Sequence, residues 1–232
     1  MSRPFRGRHR VASHPSDAPG QKDAPSLANS PVPAAGRRHS VALRWDGTVL
    51  AVGRATAGEG RIERWEGVVA VAAGNVRTAS NTGRSHTVGL RSDGTVWATG
   101  WNGDGQCEVG GWRDVTAVAA GWRRMLGLPA NGRVLAAGRG SEGQCDVQSW
   151  REMGALSCGD WHSVGVRSDG SAPASGNNRR GQCDVEGWRD LVAISAGWLH
   201  TVGLRADGRA EATGERATGA CEVRAWSGVQ LP

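Results

Sequence analysis

No stretch of the 232 residues is apolar enough or long enough to cross a bilayer as a helix. The first thirty residues hold arginines but no continuous apolar segment, which argues against a secretory signal. Arg37-Arg38 has the form of a twin-arginine signal, yet Val41-Ala42-Leu43 is interrupted at once by Arg44. The expectation is a cytoplasmic protein with no membrane contact. No Cys-x-x-Cys pair occurs among the five cysteines, so nothing supports a zinc knuckle. No Ser-His-Asp order, phosphate loop or metal-ligand spacing stands out. Catalytic residues, metal and cofactor are all expected to be none, and the chain is read as a non-enzyme.

The formal net charge is +6, but it is unevenly placed. Arg3, Arg6, Arg8, Arg10, Lys22, Arg37 and Arg38 face only Asp17 and Asp23 in the first 38 residues. The rest of the chain is nearly neutral. A broad nucleic-acid-binding face needs clustered cations that displace counterions, so it is not expected on the body. Nucleic acid could associate only through the tail. Residues 1–30 carry Pro4, Pro15, Pro19 and Pro25 among small polar residues and read as a disordered basic leader. Residues 31–232 read as one repeat domain.

The repeat is the phrase His86-Thr87-Val88-Gly89-Leu90-Arg91-Ser92-Asp93-Gly94, continuing to Gly100. It returns from His162 and from His200, with a weaker copy from Arg124 and an early one from His39. Gly94, Gly132, Gly170 and Gly208 recur every 38 residues, a period of solenoids, propellers or arrays. Thr87 to Leu90 alternates as a half-buried strand does. Asp46-Gly47, Asp93-Gly94, Asn131-Gly132, Asp169-Gly170 and Asp207-Gly208 predict tight type I′ hairpins. The phrase predicts a second strand through Thr95–Thr99.

A Gly-Gln-Cys step follows at Gly105, Gly143 and Gly181, and a third strand is expected near Glu108-Val109. Trp65, Trp112, Trp150, Trp188 and Trp226 recur in a turn, one per copy, where large rings would fill the gaps between adjacent sheets. A small-residue strand such as Val115–Ala120 completes each copy. Cys107, Cys145, Cys183 and Cys221 also recur once per copy, which reads as a small buried thiol filling one slot. His86 and its copies sit at the strand end remote from Asp93, so the pair reads as structural, the histidine bonding to backbone. Four short strands per copy predict an all-β propeller of about five small four-stranded blades. Pro31–Gly36 aligns with the small-residue strand and is expected to complete the fifth blade, closing the ring. An open β-repeat array is the alternative, and the oligomeric state is either monomer or strand-swapped dimer.

Ala119-Ala120-Gly121-Trp122, His86-Thr87-Val88-Gly89-Leu90 with Asp93-Gly94, and Asn102-Gly103-Asp104-Gly105-Gln106 resemble the regulator of chromosome condensation repeat. The likeness runs over nearly all of residues 34–226. It implies a β-propeller and, by repeat length, the compact bacterial members, which include a propeller-type β-lactamase inhibitory protein. The familiar members have seven blades where five copies are counted here, and their Gly-Gln-Leu-Gly step reads Gly-Gln-Cys. The family's founder exchanges guanine nucleotide on a small GTPase, but none of its exchange residues can be placed on this chain.

Recognition is expected where the frame repeats and the residue does not. The loops after the second strand and the turns before each histidine should emerge on one face. That face would gather Trp101, Asn102, Asp104, Trp122, Arg139, Trp161, Arg179, Arg180 and Trp198, beside a long insertion near 75–85. Tryptophan and arginine are the residue types most enriched at interface hot spots. The reading is a rigid module binding another protein, as regulator or inhibitor. The alternatives are a guanine-nucleotide-exchange-like regulator, an enzyme with a pocket at the ring axis, and nucleic-acid association through the basic tail.

Overall fold

The computed structural model describes residues 33–36, 38–53, 56–74 and 84–232. The leader and residues 75–83 of the insertion lie outside the described residues. Among the described residues there is no helix, and fifteen strands form five antiparallel three-stranded sheets. The first sheet holds β1 (Pro33–Ala35), β2 (His39–Leu43) and β3 (Val49–Gly53). The second holds β4 (Val68–Ala73), β5 (His86–Arg91) and β6 (Val96–Gly100). The third holds β7 (Val115–Gly121), β8 (Arg124–Pro129) and β9 (Leu135–Gly138). The fourth holds β10 (Met153–Cys158), β11 (His162–Arg167) and β12 (Ala174–Gly176). The fifth holds β13 (Leu191–Ala196), β14 (His200–Arg205) and β15 (Ala210–Gly214).

Three expectations about strands and turns change. The sheets have three strands rather than four, because the stretch expected as a third strand turns on itself. There Gly105 N–H donates to the Asn102 carbonyl, Glu108 N–H to Gly105 and Trp112 N–H to Val109. Backbone groups satisfied three residues away leave nothing for a ladder. The hairpins are not type I′. Only the glycine is left-handed (Gly94 φ 76°, Gly170 φ 77°), and Gly94 N–H donates to Arg91 O while Arg91 N–H donates to Thr95 O. This is a type I turn closed by a left-handed glycine in a three-residue loop. The Asp keeps ordinary φ because its carboxylate accepts from Thr95, N–H at 3.0 Å and hydroxyl at 2.6 Å.

The third change concerns β1. It pairs antiparallel with β2, Ala34 opposite Val41, and so opens the first sheet instead of completing the fifth. Each small-residue strand pairs the same way with the phrase that follows it, as Val71 does opposite Gly89. Pro33 is tolerated as the first residue of an edge strand, where no ladder donor is required.

The core is divided among the joints between sheets. Val41, Val49, Trp65, Val68 and Val71 join first to second. Val88, Leu90, Trp112 and Met125 join second to third. Leu126, Leu128, Trp150 and Met153 join third to fourth, and Val166, Val185, Trp188 and Leu191 join fourth to fifth. Among the described residues no such cluster joins the fifth sheet to the first. The recurring tryptophan lies over the glycine of the next phrase. A Cβ at Gly89, Gly127 or Gly203 would sit 2.7, 2.6 or 2.8 Å from the ring of Trp65, Trp112 or Trp188. Trp226 ends the row with no following sheet and is 53% exposed.

His39 and His162 reach across these joints to side-chain hydroxyls rather than to backbone, whereas His86 has the expected backbone bond, with Arg124. His39 Nε2 lies 2.9 Å from the Thr87 hydroxyl, which donates to the Glu59 carbonyl at 2.6 Å. His162 Nε2 lies 2.8 Å from the Thr201 hydroxyl, which donates to the Gln182 carbonyl at 2.8 Å. A hydroxyl that donates to a carbonyl must accept from the ring, so Nε2 carries the proton and Nδ1 is bare. Nδ1 of both rings is buried with no partner. Protonation would bury an unpaired charge, and burial is the main cause that pushes His162 down to about 4, with Arg124 and His200 adding to it.

Thr201→Val keeps the shape but leaves the His162 N–H and the Gln182 carbonyl unpaired. We expect a loss of about 1–3 kcal/mol in denaturant unfolding; an unchanged midpoint would show that the joint does not depend on this link. His162 is neutral in the folded chain, whereas the unfolded chain takes up the proton near 6.5. Its contribution is therefore complete above 6.5 and is lost as pH falls toward 4. The Tm should decline through that window and decline less in His162→Gln; parallel curves for the two proteins would contradict the assignment.

Candidate functional site

In each sheet the turn before the central strand and the loop after the third strand leave at the same end. A backbone bond ties the two together: Trp101 N–H to Ser85 O, Arg139 to Arg123, Asn177 to Trp161 and Glu215 to Leu199. The frame below them is uniform, and the residues they display are not.

Trp122 and Trp161, from turns of neighbouring sheets, meet with ring centroids 4.5 Å apart and planes tilted by 56°. The guanidinium groups of Arg123 and Arg139 lie 5.0 and 5.1 Å from the Trp122 ring centre. Both distances are within the range of cation–π attraction. Arg123 is left-handed, φ 59°, an uncommon conformation for a non-glycine residue. It also reaches Asp104 at 3.4 Å across the joint. Trp122 is only 4% exposed, so it supports the cluster from beneath. On the other side, Arg84 lies 4.6 Å from the Trp101 ring centre, and that ring covers Gly103 so closely that a Cβ there would collide with it.

Beside this cluster opens a cleft of about 380 Å³ lined by Glu142, Trp161, Asn177, Arg179, Arg180, Trp198 and Leu199. Asn177 donates to Glu142 at 3.0 Å, and Arg180 pairs with Glu215 at 3.3 Å. The second pair is largely solvent-exposed and adds little stability. Trp198 is 51% exposed and forms one wall of the cleft. The cleft thus offers an aromatic face, two guanidiniums and a carboxamide in a shallow surface.

Of the residues singled out in the sequence, Trp122, Arg139 and Asp104 meet around one ring system. Trp161, Arg179, Arg180 and Trp198 line the adjoining cleft. Trp101 packs under Arg84. Asn102 is turned into its own loop, where its carbonyl oxygen accepts from Cys107 N–H at 2.7 Å. Sequence reasoning overlooked Arg84, Arg123, Glu142 and Asn177. Glu142 and Asn177 were legible as members of the variable loops. Arg123 was hidden by Arg124, which takes the histidine position of its copy and is fully buried in the frame.

The repeating cysteines sit directly under these loops. Cys107, Cys145, Cys183 and Cys221 place Sγ at 3.5, 3.1, 3.6 and 3.4 Å from the first carbonyl of each loop. All five thiols are free; Cys158 is buried, whereas the four recurring thiols, expected to be buried, are only partly so. Burial pushes Cys107 and Cys183 up to about 11, which keeps them protonated and unreactive. Among the described residues no group of three or more His, Cys, Asp or Glu side chains is placed to hold a metal ion.

Two segments, residues 81–106 and 155–182, match the family model for the regulator of chromosome condensation (RCC1) repeat. These two segments are similar to repeats of that type, and the five antiparallel sheets are consistent with a propeller of that kind. Similar solved structures include Prp20p from Saccharomyces cerevisiae, with TM-score 0.61 and 19% identity over 80% of this chain and 57% of that one. Human WBSCR16 gives 0.62 and 18%, over 85% and 64%. The CRINKLY WD40 ectodomain of the Arabidopsis thaliana receptor kinase ACR4 gives 0.61 and 21%, over 78% and 64%. The chain spans less than two thirds of each of these relatives. No curated protein matches by sequence.

At neutral pH the folded protein should react with a thiol-specific chromophore far more slowly than the protein unfolded in denaturant. Rapid stoichiometric labelling of Cys107 or Cys183, read by peptide mass, would contradict the half-buried, protonated state.

Proposed function

We propose that this chain is a non-enzymatic protein-binding module whose recognition face is the Trp122–Trp161 cluster and the cleft beside it. The observation that carries the reading is the half-exposed Trp198, which lines one cleft together with Trp161, Arg179 and Arg180. Aromatic and arginine anchors on a preformed scaffold engage a partner with little ordering cost. The sheets below are joined by buried cores and hydrogen bonds, so the loops are held without the partner. The shallow, open form of the cleft suits a protein surface better than a small molecule, which favours enclosed pockets. Yeast Prp20p binds Gsp1p and histones, and Kap60 has been crystallised bound to it. Protein partners are thus known for a protein of this fold. A GTPase regulator is one narrower form of the same reading.

The test is affinity capture from the native host's lysate, comparing wild type with Trp198→Ala and Arg179→Ala. Asn102→Ala on the locally bonded loop serves as a control. A partner should be retained by wild type and the control, and each cleft variant should weaken it about tenfold or more in a purified binding assay. Equal affinity for all four proteins would move recognition off this face.

A further inference from the structure

Among the described residues nothing covers the two ends of the row of sheets, and they are the two halves of the joint that the chain builds four times internally. On the first sheet the register places Pro33, Ala42 and Leu50 side by side across the strands, and Ala35, Ser40 and Val52 likewise. Their counterparts in the second sheet are Val71, Gly89 and Trp97, and Ala73, Thr87 and Thr99. Those are packed against the first sheet, whereas Leu50 is 44% and Val52 70% exposed. On the fifth sheet the opposite face carries His200, Val202, Leu204, Ala210 and Ala212. The equivalent Val88, Leu90, Val164 and Val166 are buried in the internal joints, while His200, Val202 and Leu204 are half-buried. Beside them lies an open cavity of about 630 Å³ whose lining includes Ala210, Ala212, Val223 and Ala225 and the charged Glu211, Arg216, Glu222 and Arg224.

We propose that the fifth sheet of one copy of this chain docks on the first sheet of a second copy, head to tail. The occupant is specified by complementarity with the internal joints. His200 is the histidine of its copy, and Ser40 occupies the Thr87 and Thr201 position. His200 Nε2 bonding to the Ser40 hydroxyl would repeat the His39–Thr87 and His162–Thr201 links. Serine serves this position internally, since Ser163 Oγ donates to the Gln144 carbonyl at 2.7 Å; the corresponding carbonyl at the open end is Ala220. Val202, Leu204 and Ala212 would cover Leu50 and Val52 as Val88, Leu90 and Ala98 cover their neighbours. Of the positions that differ from the internal joints, one weakens the fit. Ala42 stands where Gly89, Gly127 and Gly203 receive a tryptophan, so Trp226 must seat further out. The joint between copies is therefore weaker than the internal ones and reversible. Because its two faces are different, the contact is heterologous and propagates until a ring closes.

The experiment is sedimentation velocity of the full 232-residue chain across the micromolar range. It uses wild type, Val52→Arg on the first sheet and Ala212→Arg on the fifth, with thermal melts to establish that each is folded. Wild type should associate with rising concentration. Each variant alone should be monomeric, and an equimolar mixture should form a one-to-one dimer, because each retains the face the other lacks. A wild type that stays monomeric overturns the proposal; the faces would then be covered by residues 1–32, by another protein or by nothing. A folded pair that does not dimerise on mixing overturns it equally, because an isologous contact cannot be restored that way.

Discussion

The joint between consecutive sheets is the constraint on which everything else depends. Three-stranded sheets with small residues on their edge strands have no core of their own, so each buries its apolar face only against the next. At three of the four joints a tryptophan lies on a glycine, and at the third-to-fourth joint Met153 approaches Gly165 instead. A histidine, a hydroxyl and a backbone carbonyl fix the register between sheets, because a buried carbonyl left without a donor is costly. The glycine ending each small-residue strand belongs to the same device: a Cβ at Gly74 or Gly197 would lie 2.2 or 2.3 Å from the ring of His86 or His200.

The third copy shows what the joint tolerates. Arg124 replaces the histidine and Met125 the threonine. Met125 offers no hydroxyl, so His86 meets no side-chain oxygen across the joint and is left to a backbone bond with Arg124. Arg124 compensates on its other side. Its guanidinium donates to Ser163 Oγ at 3.1 Å and to the carbonyls of Gly159, Asp160 and His162. A fully buried cation is held by carbonyl dipoles, and the longer side chain reaches more acceptors across the joint than an imidazole can. The weakest copy in sequence is thus the most heavily bonded joint in space.

The proposed recognition face follows from this frame. Since the joints set the spacing of the sheets, turns from neighbouring sheets arrive close enough for Trp122 to meet Trp161 and for Arg123 to reach Asp104. The protonated cysteines anchor the loop carbonyls beneath, and the side chains above are relieved of structural duty. The same periodicity that holds the face in place also leaves two unlike ends, which is the origin of the head-to-tail contact.

Repetition made the strands, the hairpin positions, the buried tryptophans and the variable loops legible in the sequence, because each of these depends on residues a few positions apart. The Trp/Arg face was legible to the same extent, as a set of loops at one end of every sheet. What lay beyond reach depended on neighbours remote in the chain. The 38-residue phrase could be cut anywhere, and only the ladder between Val71 and Gly89 decided that the small-residue strand opens a sheet rather than closing one. Gly-Gln-Cys resembled the approach to a strand, and only the local turn bonds showed otherwise. The histidine's partner, 39 residues away in the case of Thr201, belongs to another copy, so no pattern within one copy could assign it. Local chemistry determined the pieces; the pairing of unlike faces across the joints, a matter of long-range packing, decided their order, their ends and what they leave exposed.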